Sequence, residues 1–189
     1  MARIRARGSD ERLAIDRRTF IGAALALGLW PRQLLADAHE GADRPVLSQA
    51  ALDALPGSQF VYVSPLKTDG EESACHGEVW YAWLDGSVAL ITGASRWKAR
   101  SVASGLDRAR IWVGNHGTWK RTLGTNEDFR KAPSFVGRAR TSKEPQLLER
   151  MLIDYERKYP DEIGRWRDRF REGLASGERV ILLYEPVSS

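Results

Sequence analysis

Short apolar runs, separated by turn-forming residues, fill the chain between residues 59 and 141. Valine, isoleucine, threonine and aromatic residues dominate these runs, which is typical of strands with a half-buried pleated surface. The pattern predicts strands over Gln59–Val63, Glu78–Leu84, Ser87–Thr92, Arg110–Gly114, Thr118–Leu123 and Ser134–Thr141. Asp85-Gly86 stands between two of these runs and predicts a tight hairpin. Gly137 predicts a bulge in the sixth strand.

Helical periodicity is found mainly after the strands. Apolar residues at helical spacing predict helices over Glu144–Lys158 and Asp161–Ala175, and a final strand is expected over Arg179–Glu185. A short helix capped by Ser48 and another over Arg96–Ser104 precede them. Six or seven strands connected mostly by hairpins favour a mainly β fold with helices (α+β). The expected architecture is a small antiparallel barrel with two helices before the last strand.

The first 38 residues have the composition of an export signal. A basic stretch leads to an apolar run from Phe20 to Trp30, and Ala36-Asp37-Ala38 offers a small-residue cleavage site. The apolar run covers only about 16 Å as a helix, which is too short for a stable membrane span. Arg17-Arg18 followed by Thr19 and Phe20 resembles the twin-arginine export motif. The alternative is an amphipathic N-terminal helix with an accidental arginine pair.

These features divide the chain into residues 1–38 as a twin-arginine signal peptide, 39–58 as a linker with a short helix, and 59–189 as the barrel domain. The net charge of +4 lies largely in the leader, whose balance is +3, so the remaining body is nearly neutral. A neutral body argues against binding to a nucleic-acid backbone. Cys75 is the only cysteine of the sequence, which excludes an internal disulfide.

The segment between the third strand and the following short helix carries the candidate chemistry. It presents hydroxyl groups and cations at the start of a helix, a combination that favours a bound phosphate. The residues concerned are Thr92, Ser95, Arg96 and Lys98. The alternative for this segment is a solvated basic turn. His76 and His116 lie in predicted loops, where a histidine is more often a surface group than a metal or heme ligand.

Several short motifs together resemble one family. They are Trp80 and Trp83 on one strand, Asp85-Gly86, the step from Thr92 to Lys98, Ile111-Trp112-Val113, Gly137-Arg138-Ala139-Arg140, Arg157-Lys158-Tyr159-Pro160, and a closing strand before Pro186. Over residues 46–187 the chain is similar to the split β-barrel flavin-binding proteins, the group of pyridoxamine 5′-phosphate oxidase and its deazaflavin-dependent relatives. In the pyridoxamine oxidases serine, arginine and lysine are adjacent, whereas here Trp97 separates Arg96 from Lys98.

The resemblance implies that Thr92, Ser95, Arg96 and Lys98 bind the phosphate end of a flavin. It also implies a homodimer with the cofactor at the subunit interface and a small-molecule substrate. We therefore expect an exported FMN-dependent oxidoreductase, with a deazaflavin as the alternative coenzyme. Two other classes stay open: a non-catalytic protein that binds heme or another small ligand, and a cofactor-free interaction module. Heme binding would need a histidine such as His76 or His116 in the cleft.

Changing Arg17 and Arg18 together to lysine should keep the protein in the cytoplasm, because the twin-arginine machinery recognises the arginine pair. Cell fractionation followed by immunoblotting measures the distribution of the wild-type and variant proteins. Unchanged export of the double variant would contradict the assignment of this leader.

Overall fold

The computed structural model describes residues 46–121 and 124–188. The predicted signal peptide and residues 39–45 of the predicted linker lie outside these ranges. Within the described ranges, no helix is both long enough and apolar enough to cross a membrane.

Seven strands form one antiparallel sheet. In chain order they are β1 (Phe60–Pro65), β2 (Gly77–Val79), β3 (Ala82–Leu84), β4 (Ser87–Gly93), β5 (Arg108–Gly114), β8 (Ser134–Ser142) and β9 (Arg179–Pro186). Their spatial order is β2-β1-β5-β8-β9-β4-β3, and all neighbouring pairs are antiparallel. A separate two-stranded ribbon consists of β6 (Lys120–Arg121) and β7 (Gly124–Thr125).

The connection between β2 and β3 requires the sheet to curl into a barrel. These strands are the two edges of the sheet, yet only Trp80 and Tyr81 separate them in the chain. A flat sheet of seven strands would place its edges about 29 Å apart at the usual strand spacing. Three Cα–Cα steps span at most about 11 Å. The edges therefore lie side by side, which is the split-barrel architecture expected from the sequence.

Helices surround this barrel. They are α1 (Gln49–Ala54), α2 (Trp97–Ala103), α3 (Pro145–Lys158) and α4 (Pro160–Ser176), with a 3-10 turn at Asp128–Lys131. The Ser48 hydroxyl caps α1 by accepting a hydrogen bond from the amide of Ala51. The two long helices precede the last strand, as predicted.

The strand β9 is buried on both faces. Leu182 and Tyr184 point into the barrel core, whereas Ile181 and Leu183 pack under α3 and α4. This arrangement explains why the segment is a continuous apolar run rather than an alternating one.

The C-terminal end of α3 holds the connection that closes the barrel. Trp80 and Tyr81 belong to no strand, and side chains of this helix end contact three of their four backbone polar groups. The Tyr155 hydroxyl donates to the Trp80 carbonyl at 3.2 Å, and the Tyr81 amide donates to the Tyr159 hydroxyl at 3.2 Å. The Lys158 ammonium lies 3.5 Å from the Tyr81 carbonyl and 3.7 Å from the centroid of its ring. These contacts fix the position of both sheet edges.

Three predictions of local structure differ from the structure. Glu78–Leu84 is two strands rather than one, because the chain leaves one sheet edge at Val79 and joins the other at Ala82. Of the strand predicted over Thr118–Leu123, only Lys120–Arg121 is a strand within the described ranges, and residues 122–123 lie outside those ranges. Gly137 causes no bulge, since the pairing of β8 with both neighbours is continuous through it. A Cβ at Gly137 would lie 3.0 Å from Cβ of Tyr184, so close packing explains this glycine.

Replacing Tyr159 by phenylalanine should destabilise the fold by about 1–3 kcal/mol, because the Tyr81 amide and the Gln59 carbonyl would lose their partner. Urea denaturation measures the free energy of unfolding. Tyr184→Phe is the matched control: this ring is 2% exposed, and its hydroxyl makes no hydrogen bond with a described residue. Equal losses in the two variants would contradict the proposed role of Tyr159 at the closure.

Candidate functional site

A cleft of about 560 Å³ opens where β4, α2, α4 and the start of β9 meet. Its floor is the end of β4, and the chain then turns through Ala94 and Ser95 into α2. The lining residues are Ile91, Thr92, Gly93, Arg96, Trp97, Lys98, Trp166, Glu178 and Arg179. The volume is within the usual range of a small-molecule site.

The cleft contains three of the four residues predicted to bind a phosphate. Thr92, at the end of β4, is buried. Arg96, the residue before α2, and Lys98, in the first turn of α2, both line the cleft. Ser95 is exposed and does not line the cleft. Trp97 stands between the two cations in the chain, and it lines the cleft together with them, so the insertion does not remove either cation from the cleft.

Lys98 is enclosed by Trp97 and strand β2. Its Nζ lies 4.4 Å from the centroid of the Trp97 ring, a cation–π contact. A Cβ at Gly77 would come within 3.1 Å of that Nζ, so the glycine lets the strand backbone approach the lysine. Burial lowers the pKa of Lys98 below its usual value, and the nearby charge of Arg96 lowers it further. A bound anion would relieve both effects, which makes this lysine suited to phosphate.

The cations of the cleft have no acidic partner among the described residues. Arg96, Lys98 and Arg179 form no ion pair there. Outside the cleft, eight arginines of the described ranges are paired with a carboxylate: Arg110, Arg130, Arg138, Arg140, Arg150, Arg157, Arg167 and Arg171. Glu178 also lines the cleft but forms no ion pair with a described residue, so the three cations leave the cleft with a net positive charge for an anionic ligand. Because α2 has only seven residues and Arg96 makes no side-chain cap, the side chains rather than the helix supply the attraction.

An aromatic slot of about 290 Å³ continues from the cleft and shares Ile91, Trp166 and Arg179 with it. Its remaining lining residues are Val79, Trp80, Tyr155, Glu162 and Phe170. The Trp80 ring stacks on Tyr159 with centroids 4.3 Å apart, and Trp166 stacks on Phe170 at 5.8 Å. A cationic cleft joined to an aromatic slot can hold a ligand that carries an anion at one end and a planar ring at the other.

Neither described histidine lines the cleft or the slot. His76 is buried against Trp119 and Phe129. Its Nε2 lies 3.3 Å from a guanidinium nitrogen of Arg130, which can only donate. The proton of the ring is therefore assigned to Nδ1, which donates to the Ser64 hydroxyl.

His116 is held by its backbone. Its amide donates to the Tyr62 hydroxyl at 2.9 Å, and its carbonyl accepts from Asn126 at 2.7 Å. In the residues that the structure describes, no group of three or more histidine, cysteine or carboxylate side chains is arranged to hold a metal ion.

The sequence did not point to Arg179, Trp166 or Trp80 as lining residues. Arg179 is far from the predicted motif in the chain, but it pairs with Gly93 across β4 and β9. Trp166 and Phe170 lie four residues apart on α4, where Phe170 is buried while Trp166 lines the cleft. The register of β9 against β4 brings Arg179 to the cleft, and the packing of α4 brings Trp166.

The chain is similar to several solved structures in its fold, at low sequence identity. No family model matches the sequence, and no curated protein matches it. Among solved structures, a conserved hypothetical protein of Mycobacterium tuberculosis is 20% identical, with a TM-score of 0.48 over 74% of this chain and 82% of its own. The heme storage protein HutZ from Vibrio cholerae is 9% identical, with a TM-score of 0.47 over 73% and 88%. A Listeria innocua protein, provisionally described as a pyridoxamine 5′-phosphate oxidase, is 14% identical, with a TM-score of 0.46 over 72% and 90%.

The free energy of unfolding should fall as the pH drops below about 6.5, the ordinary pKa of histidine. Burial lowers the pKa of His76, and the charge of Arg130 lowers it further, so the unfolded chain binds the proton first. Urea denaturation at about pH 7.5 and 5.5 measures the difference. His76→Asn should reduce the pH dependence, whereas His116→Asn, which leaves the buried His76 ring in place, should retain it. An unchanged pH dependence in His76→Asn would contradict this origin.

Proposed function

We propose that the protein binds FMN in this cleft and slot and acts as an oxidoreductase on a small-molecule substrate. The observation that carries the proposal is the convergence of Arg96, Lys98 and Arg179, unpaired among the described residues, on a cleft that continues into an aromatic slot. The same residue types at the end of β4 support the resemblance to the flavin-binding split barrels.

The residues present fit a phosphorylated flavin. Lys98 and Arg96 would bind the phosphate, and the Thr92 hydroxyl, which also lines the cleft, would donate to one of its oxygens. Trp80 and Trp166 would bind the ring system through stacking and exclude water from one side of it. The flavin would supply the electron transfer, so the chain itself needs only to bind and orient its reactants.

FMN is favoured over a deazaflavin because nothing in the sequence or at the cleft selects the rarer coenzyme. A heme would need an axial ligand in the cleft, and neither His76 nor His116 lines it. If the protein were a cofactor-free interaction module, the presence of Arg96, Lys98 and Arg179 in one cleft without an ion pair to a described residue would have no explanation. The flavin proposal accounts for the largest number of the observed features.

The proposal includes the location and assembly of the protein. We propose export through the twin-arginine route, which transports folded proteins and so allows a cofactor to be inserted beforehand. A homodimer is proposed from the family resemblance alone. Sedimentation of the purified protein with and without FMN would establish the number of subunits.

Changing Lys98 to alanine should weaken FMN binding by roughly 10- to 150-fold, since a lost hydrogen bond to a charged group costs about 1.5–3 kcal/mol. Quenching of flavin fluorescence on titration with protein measures the dissociation constant. Arg100→Ala is the matched control, because Arg100 is an exposed cation of the same helix outside the cleft.

Equal affinities of the two alanine variants would mean that the phosphate is bound elsewhere. A wild-type protein that does not bind FMN would exclude the proposed function. The absorption spectrum of protein purified from its folded, pre-export pool distinguishes flavin, deazaflavin and heme directly.

A further inference from the structure

Arg179 occupies the junction between the cationic cleft and the aromatic slot. It lines both, together with Ile91 and Trp166. Of these three side chains only Arg179 is charged, so a ligand that extends through the junction must pass this guanidinium.

The position of Arg179 is set by helix α4. Its guanidinium carbon lies 5.7 Å from the Trp166 ring centroid and 5.2 Å from that of Phe170, within the range of cation–π contacts. Its aliphatic stem crosses α4 at Gly173, where a Cβ would lie 2.7 Å from Cδ of the arginine. Gly173 therefore leaves the space that the side chain occupies. The helix ends at Ser176, and the next residue, Gly177, has a φ of 79° in the left-handed region, which turns the chain towards β9.

This arrangement leaves the donors of the guanidinium available. Arg179 makes no ion pair with a described residue, and the rings beneath it offer only their faces. Its strand partner is Gly93, the residue after Thr92, so the arginine is close to the proposed phosphate site. A planar guanidinium can donate two parallel hydrogen bonds to a phosphate.

We propose that Arg179 is the residue that selects phosphorylated ligands over their neutral counterparts, and that α4 sets this selectivity by holding the guanidinium on its aromatic residues. The inference rests on the proposed flavin function. It adds Arg179, the first residue of β9, to the residues of the predicted motif that would bind the phosphate.

The test compares the affinities of FMN and riboflavin, which differ only in the phosphate. Fluorescence titration gives both dissociation constants for the wild type, Arg179→Met and Arg179→Lys. In Arg179→Met the preference for FMN should fall at least about 10-fold, because a charge-assisted hydrogen bond to the phosphate is lost. Riboflavin affinity should change by less than about 3-fold. Arg179→Lys should retain part of the preference, since it keeps the charge but loses the paired donors.

A second variant moves Arg179 without removing it. Gly173→Ala should displace the arginine from its rings and reduce the FMN preference in the same direction as Arg179→Met. Gly164→Ala is the matched control, because it lies in the same helix and its added Cβ would meet nothing within 4 Å. Arg165→Met removes an exposed cation of α4 outside the cleft and should leave the preference unchanged.

The outcomes separate the inference from the proposed function. An unchanged preference in Arg179→Met, or an equal loss for FMN and riboflavin, overturns the inference and leaves the flavin site standing. A wild-type protein that binds neither flavin overturns both. A reduced FMN preference in Arg179→Met and Gly173→Ala, with the controls unchanged, supports the inference.

Discussion

The barrel depends on the way the end of α3 holds two residues. Trp80 and Tyr81 connect the opposite edges of the sheet, and they have no neighbouring strand to satisfy their backbone. Tyr155, Lys158 and Tyr159, at the end of the helix, contact three of the four backbone polar groups of these two residues. Because buried backbone groups are costly to leave unpaired, this contact fixes the closure of the sheet and the position of the helices on it. It also places Trp80, stacked on Tyr159, at the wall of the aromatic slot.

Sequence patterns predicted the local elements well wherever one residue type determines the backbone. Asp85-Gly86 forms the expected hairpin, and both residues have positive φ, of 50° and 74°. Sequence patterns failed where the outcome depends on distant packing. Nothing within Glu78–Leu84 indicates that the chain changes sheet edge in the middle of the run. The tyrosines that stabilise that change lie more than seventy residues later.

The candidate site shows the same division. Thr92, Arg96 and Lys98 could be found together because they are neighbours in the chain, at a strand end. Arg179 and Trp166 enter the site only through the pairing of β9 with β4 and the packing of α4. Helical spacing predicted the helix over Asp161–Ala175, but the same pattern cannot show that one edge of its apolar face borders a cleft. Ser95 was included because of its hydroxyl group, and the turn leaves that group in solvent.

The place of β9 in the sheet has a consequence for the order of folding. It is the last strand of the described chain, yet it lies between β8 and β4 and connects the two halves of the sheet. The earlier strands therefore cannot join into a continuous sheet while this segment is still being synthesised. Closure of the barrel and formation of the junction at Arg179 both require this last strand, and both depend on contacts between residues far apart in sequence. A ligand that occupies both the cleft and the slot would consequently bind to the finished fold rather than guide the early stages of folding.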